Sequence, residues 1–387
     1  MDMCPIISKM HTYKKIDESI TREEFDSSSR SPFVSRFGYP NINVGVLAPP
    51  GVSDATDYDA PKNWAKNNYQ IPDILKLRSA MVNSRFPALV KGGLTRELEK
   101  TQNITQSKVP VALDVHLKRR PNLNITIKPE VAPMGPTADL DKMNIIDNPK
   151  VPKAVDKAVS DDELKATLAI DEMTHKGIDE NYLTRLLSVG LLGVKKDRKL
   201  VPTRWAITAT DDTIGKLQRK KIRDYKQADY QAYLGGYLGN YYLIMLIPSI
   251  FRYELFEMFA SPGIEPDFVT DWEDHKGRKE YAKKTAGGYY ATRLGISEKM
   301  IQIKRQGAAL AIRFITDEYT IGLGVWVVRE AARKSLASKP IHFASLDLML
   351  QYAKMIAKRR YGVPIEHILK ASKLLYEVKN QKTLGDY

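Results

Sequence analysis

One cysteine, Cys4, stands in 387 residues. A lone thiol closes no internal disulfide and builds no cysteine-rich zinc site. Six histidines (His11, His116, His175, His275, His342, His367) are scattered, with no H-E-x-x-H or H-x-H pair. Cys/His spacing therefore points to no metal, while a carboxylate site for Mg²⁺ would leave a weaker trace. No stretch approaches the roughly 20 apolar residues that a membrane-spanning helix needs. The longest apolar stretch, Tyr241 to Ile250, contains Pro248 and reads as a buried strand. No N-terminal segment joins a basic start to an apolar core, so the expected location is the cytoplasm. Cofactor fingerprints are missing as well: there is no G-x-x-x-x-G-K-[ST] loop and no G-x-G-x-x-G after a strand.

What is present is an ordinary soluble composition with a cationic bias. Apolar residues make up 43% and charged residues 27%, enough to bury a real core. Lysine and arginine number 60 against 46 acids, a net charge of +14. Neutralisation of phosphates gives nucleic-acid affinity without any base contact, so a polyanionic partner is the natural inference. The competing reading is that many basic soluble proteins bind no polyanion.

Along the chain, residues 1–30 are polar, with a short helical signal around Ile16 to Phe25. Residues 31–61 form a Pro-, Gly- and Asn-rich loop whose Phe33, Phe37 and Tyr39 predict order against the body. Helical spacing runs over 72–105, period-two spacing over 109–128 with a turn at Arg120–Pro121–Asn122, and helical spacing again over 154–192. There Ser160 and Glu163 fit a capping box, and two helices meet near Gly177. Further on, strands are expected at 201–209, 239–260 and 280–290, a basic helix at 212–227, and helices at 293–312 and 325–338. Two amphipathic helices span 346–379, parted at Gly362–Val363–Pro364. The sum is an α+β protein: a mixed-sheet body with helices concentrated in the C-terminal third. It divides into an N-terminal region (1–150), a body (151–379) and a tail (380–387).

Arg204 and Trp205 fall at the end of one expected strand, and Asp211 and Asp212 at the start of the next helix. Acids at a helix start cap it and meet its dipole, which explains the pair without any site. As a site, Arg204 would grip a phosphate, Trp205 would stack on a base, and the aspartates would hold Mg²⁺ for phosphodiester chemistry. Arg36, Asn41 and Asn43 lie in the N-terminal loop, where asparagines ordinarily make local turns but would equally serve a site shared with Arg204. Lys216, Lys220 and Arg223 share a helix face, either solvated or tracking phosphates. Tyr289, Tyr290 and Arg293 would add stacking, or pack as half-buried strand residues.

The chain ends Gln381-Lys382-Thr383-Leu384-Gly385-Asp386-Tyr387, matching the sliding-clamp pattern Q-x-x-aliphatic-x-x-aromatic, with one terminal aromatic where many such peptides have two. At three residues per turn, 3₁₀ geometry places Gln381, Leu384 and Tyr387 on one face, so the leucine and tyrosine fill an apolar pocket while the glutamine hydrogen-bonds elsewhere. Chance supplies such a match at about one position in a few thousand. Gln231 to Tyr237 also matches, but it precedes the apolar strand and reads as structural. Only the terminal copy is free to dock.

Two segments carry a family resemblance: Ser31-Pro32-Phe33-Val34-Ser35-Arg36-Phe37-Gly38-Tyr39-Pro40-Asn41-Ile42-Asn43-Val44-Gly45, and Lys199-Leu200-Val201-Pro202-Thr203-Arg204-Trp205-Ala206-Ile207-Thr208, which runs on to Gly215. Both resemble signature stretches of the archaeal NreA family of DNA-repair proteins. Gly287-Gly288-Tyr289-Tyr290-Ala291-Thr292-Arg293 and Gly324-Val325-Trp326-Val327-Val328-Arg329-Glu330 look like further family blocks. Many relatives begin with a cysteine cluster that looks like a small zinc module; here only Met3-Cys4-Pro5-Ile6 resembles its end. The resemblance implies a role in DNA repair and a partnership with the sliding clamp (PCNA), but supplies no reaction. Three readings follow: a clamp-recruited DNA-repair protein with a DNA-binding body, a metal-dependent nuclease or nucleotide-acting hydrolase using Asp211 and Asp212, and a scaffold without DNA contact.

Overall fold

A computed structural model describes residues 22–122, 135–261, 263 and 266–380. The chain divides into two compact units, Met1–Ile214 with Ile321–Leu323, and Gly215–Thr320 with Gly324–Tyr387.

The first unit runs β1 (Glu24–Ser29), β2 (Pro32–Val34), β3 (Asn41–Ala48), α1 (Pro61–Lys66), α2 (Ile71–Ser79), β4 (Val82–Leu89), α3 (Arg96–Thr105), β5 (Val111–Leu117) and β6 (Thr137–Ile145). Helices α4 (Lys153–Ser160), α5 (Ala166–His175) and α6 (Glu180–Ser188) follow, and then the long α7 (Thr203–Ile222), whose last two turns fall in the second unit. The sheet order is β1-β5-β6-β4-β3-β2, antiparallel except where β4 lies parallel to β6. Period-two burial builds it. Val111, Leu113, Val115 and Leu117 face inward from β5, and Ile42, Val44, Val46 and Ala48 from β3. Each such buried valine, leucine or isoleucine contributes roughly 1.5–3 kcal/mol.

The second unit holds β7 (Lys226–Gln227), β8 (Tyr230–Tyr237), β9 (Asn240–Ile247), β10 (Arg252–Phe259), β11 (Phe268–Glu273), α8 (Ala286–Ile303), β12 (Arg305–Gln306) and β13 (Ala308–Ile315). It closes with α9 (Val325–Ala337), β14 (Ile341–Phe343), α10 (Leu346–Tyr361), α11 (Glu366–Ala371) and α12 (Lys373–Asn380). Its six-stranded sheet runs β11-β10-β13-β9-β8-β14, with one parallel pair, β10 and β13. One face carries Leu243, Met245, Phe256, Leu310, Ile312 and Phe314 against Met349, Ile356, Val363, Ile365 and Leu374 of the C-terminal segment. The other face meets α8 and α9: Tyr253 Oη donates to the Tyr289 carbonyl (3.2 Å), and Ser335 Oγ to the Tyr242 carbonyl (3.2 Å). Buried Glu254 on β10 fastens the final helix, accepting hydrogen bonds from Ser372 Oγ (2.5 Å), Lys373 N (3.2 Å) and Leu374 N (3.0 Å).

The mixed α+β architecture agrees with the sequence patterning. The apolar stretch at 239–260 is indeed paired strand, 325–338 is helix α9, and Gly177, at φ +79°, parts α5 from α6. Several local expectations fail. Residues 201–209 and 280–290 are no strands; the first lie largely in α7, and the second contain the start of α8. The 31–61 segment contains β2 and β3, the 72–105 helical stretch contains β4, and the helix expected through 312 ends at Ile303 before β12 and β13. Asp161, not Ser160, accepts the backbone N–H groups of Glu163 and Leu164, each at 3.0 Å. Phe25 lies in β1; most of the helical signal before it, and the second strand expected near 123–128, fall outside the described residues. The C-terminal segment is three helices rather than two. Among the described residues no helix is long and apolar enough to cross a membrane.

Candidate nucleic-acid interface

Helix α7 begins immediately after Pro202, whose carbonyl accepts the first helical bond from Ala206 N (2.9 Å). Proline is tolerated there because its ring meets no preceding turn. The start is tied down from three sides. Val201 N donates to the Ser188 carbonyl (2.9 Å), Leu200 N to the Val90 carbonyl (3.0 Å), and Val34 N to Thr203 Oγ1 (2.9 Å). Val90 N in turn donates to the Pro40 carbonyl (3.0 Å). Backbone bonds and the Thr203 hydroxyl thus stitch together residues 34–40, 90 and 200–203.

The 37–40 turn projects from this seam. Gly38 takes φ +82°, and a Cβ there would lie 2.5 Å from the Asn41 carbonyl oxygen, so the turn requires glycine. The Tyr39 ring meets the Trp205 ring at 5.7 Å between centroids and 50° between planes. The Arg36 guanidinium lies 5.1 Å from the centre of the Phe37 ring. Phe37 is 74% exposed, Tyr39 51% and Trp205 47%, so three large rings face solvent within one seam. Arg36 and Arg204 are exposed beside them. Asn41 is exposed and Asn43 half-buried at the start of β3; alternation puts both on the side opposite buried Ile42 and Val44.

Other predicted positions fall elsewhere. Asp211 and Asp212 sit inside α7, not at a helix start, so neither the capping reading nor the strand–helix junction holds. Adjacent helical residues point about 100° apart and do not face one another; Asp211 is fully buried and Asp212 half-buried. Among the described residues no group of three or more His, Cys, Asp or Glu could hold a metal ion. Lys216 and Lys220 are exposed on the last turns of α7. Arg223, also exposed, donates through Nη2 to the His275 carbonyl (2.9 Å).

Arg293 is no surface residue. It lies buried in α8, with Nη1 3.1 Å from Glu273 Oε2 and its guanidinium over the Tyr289 and Tyr290 rings, at 5.8 and 5.3 Å. Arg219 Nη1 stands 3.9 Å from the other Glu273 oxygen. Burial lowers the Arg219 pKa against the opposing pull of Glu273, and burial, then Glu273, raises the Tyr289 hydroxyl well above its ordinary value. The group holds charge inside the second unit. Gln231 to Tyr237, the internal copy of the clamp pattern, forms β8 between β9 and β14 and is structural. The terminal copy, with Gln381, Leu384 and Tyr387, lies outside the described residues.

Sequence reasoning used Phe37 and Tyr39 only as signs of order and missed them as members of the patch. Two rings and an arginine packed into four residues around a glycine turn were the available signal.

Residues 1–264 match the family described as archaeal Nre, N-terminal, and residues 273–387 match archaeal Nre, C-terminal. The chain belongs to the archaeal Nre family. It is similar to "DNA repair protein NreB" of Archaeoglobus fulgidus, 32% identical over 391 residues, covering 100% of this chain and 96% of the relative. It is also similar to "DNA repair protein NreA" of the same organism (34% over 358 residues; 89% and 87% covered). A third relative is "DNA repair protein NreA" of Haloferax volcanii (31% over 344 residues; 85% and 82%). No solved structure matches the chain. In this Nre chain the four segments that carried the resemblance meet in pairs. Segments 31–45 and 199–215 touch through Tyr39 and Trp205. Segments 287–293 and 324–330 press so close that a Cβ on Gly287 would lie 2.6 Å from Val325 Cγ2.

Proposed function

We propose that this chain is a DNA-repair protein recruited to DNA by a sliding clamp (PCNA), docking through Gln381, Leu384 and Tyr387 while its basic body holds DNA. The observation that carries the reading is family membership: the relatives named as DNA-repair proteins align over nearly their whole length, so the likeness is not confined to one shared module. The terminal heptapeptide supplies the docking chemistry, a glutamine and two apolar side chains at 3₁₀ spacing. The net charge of +14 and the exposed Arg36, Arg204, Lys216 and Lys220 supply the electrostatics, with Asn41, Asn43, Trp205 and Arg223 as further contacts. Helix α12 ends at Asn380, so docking would hold the body at high local concentration beside the DNA that the clamp encircles.

The test is binding of the full chain to the cognate clamp by titration calorimetry, beside a chain lacking residues 381–387. Loss of binding on deletion is the expected result. Binding that survives deletion overturns the docking assignment.

A further inference from the structure

We infer that the seam around Tyr39 and Trp205 is a stacking platform for unpaired bases, which makes the substrate of the body single-stranded DNA. The inference rests on the DNA-holding half of the proposed function and is independent of clamp docking.

Three observations carry it. First, the rings are exposed although the fold had the means to bury them: Trp64, by contrast, is fully enclosed in the same unit. Clustered large aromatics on a surface mark an interaction site. Second, they come with cations. The segments 31–45, 86–96 and 199–210, joined by the Val90–Pro40 and Leu200–Val90 backbone bonds, carry Arg36, Lys91, Arg96, Lys199 and Arg204, all exposed. Exposed cations beside open rings suit a phosphate chain whose bases stack on those rings. Third, the geometry suits a flexible strand. Tyr39 and Trp205 are tilted by 50° rather than stacked flat, and each keeps about half its surface open. In a duplex the π-faces of the bases are already occupied and only their edges reach the grooves, so ring faces have nothing to stack on. An unpaired strand offers successive base faces while its phosphates run past the arginines.

Backbone geometry agrees with a built feature. The positive φ of Gly38 gives the turn that holds Phe37 and Tyr39 out, and Ser35 Oγ fixes it by accepting from Phe37 N (3.1 Å). On the other side, Thr203 Oγ1 ties the first turn of α7 to β2 and stands 3.2 Å from Ser188 Oγ, so Trp205 is presented from a rigid element.

The test measures fluorescence anisotropy of a labelled oligothymidine, and of a labelled duplex of equal length, with the full chain and with Trp205→Ala, Trp205→Phe and Tyr39→Ala. The rings are exposed, so all variants should melt like the parent, which circular dichroism checks. The expected result is preference for the single strand, a loss of about tenfold or more in that affinity for Trp205→Ala and Tyr39→Ala, near-parental binding by Trp205→Phe, and little change on duplex. Equal losses on both DNA forms, or unchanged single-strand affinity, overturn the inference while leaving a DNA-binding body standing. Absence of binding to either DNA overturns both, and leaves the rings to a protein partner. Clamp binding is read separately and bears on neither outcome.

Discussion

Arg293 Nη1 and Glu273 Oε2 are 3.1 Å apart, and neither side chain reaches solvent. A buried ion pair is weak evidence of net stabilisation, but breaking one is costly because the surviving charge keeps its desolvation penalty. Arg293→Ala should therefore destabilise the protein by about 3–5 kcal/mol, read as a fall in urea midpoint. DNA affinity per folded molecule should be unchanged. A variant of parental stability with weakened DNA binding would return Arg293 to the interface.

The pH dependence of the first unit should carry the signature of His116. It lies opposite Glu24 in the β1–β5 register, with Nε2 2.9 Å from Asp114 Oδ1 and Nδ1 3.2 Å from Glu24 Oε1. Hydrogen bonds to Asp114, then Glu24, raise its pKa above the usual value. The folded state binds the proton more tightly, so this contribution is fully present below the unfolded pKa of about 6.5 and is lost as pH rises through the folded value. The gap in melting temperature between the parent and His116→Gln should be wider at about pH 5.5 than at about pH 9. Solvent reaches all three groups, so the gap should be small and should shrink further in high salt. Equal gaps at both pH values would remove His116 as the cause.

Lys216 and Lys220 face solvent on the last turns of α7. If they track phosphates, replacing both by alanine should flatten the plot of log affinity against log salt by about one unit for each phosphate no longer neutralised. Stability should hardly move, since the changes are at exposed helical positions. An unaltered slope on single-stranded and duplex DNA would leave that face solvated.

How much of this was legible beforehand depends on which force set each element. Strand β9 is apolar from Tyr241 to Ile247 because both faces are covered by helices, and a continuous apolar run of that length announces itself. The later turns of α8 fall within the helix expected over 293–312, but its first turns did not announce themselves, for Gly287 and Gly288 are poor helix formers and Tyr289 and Tyr290 indifferent ones. Close packing against Val325 and the Glu257 carboxylate needs those glycines, and tertiary contact overrode local preference. The same holds for Val201 to Thr208, whose β-branched and aromatic residues suggest a strand until the helix start after Pro202 is tied to three neighbours. Strand β3 hid in a Gly/Asn-rich stretch although its alternation was there to be read. The candidate interface was half visible. Arg36, Arg204 and Trp205 drew attention by residue type, while the contact of Tyr39 with Trp205 is long-range and no local pattern encodes it.

The two halves of that contact come from near opposite ends of the first unit's sequence, one on a turn before β3 and the other on the last helix to begin there. The ring pair is therefore a spectroscopic reporter as well as a surface. A nascent or partly unfolded chain has both residues but not the pair, so the emission of Trp205, isolated by replacing Trp64, Trp272 and Trp326, should change as the first unit closes. Binding competence and native closure of that unit then become one observable, and a destabilised variant would lose grip on its ligand in proportion to the fraction of molecules left open.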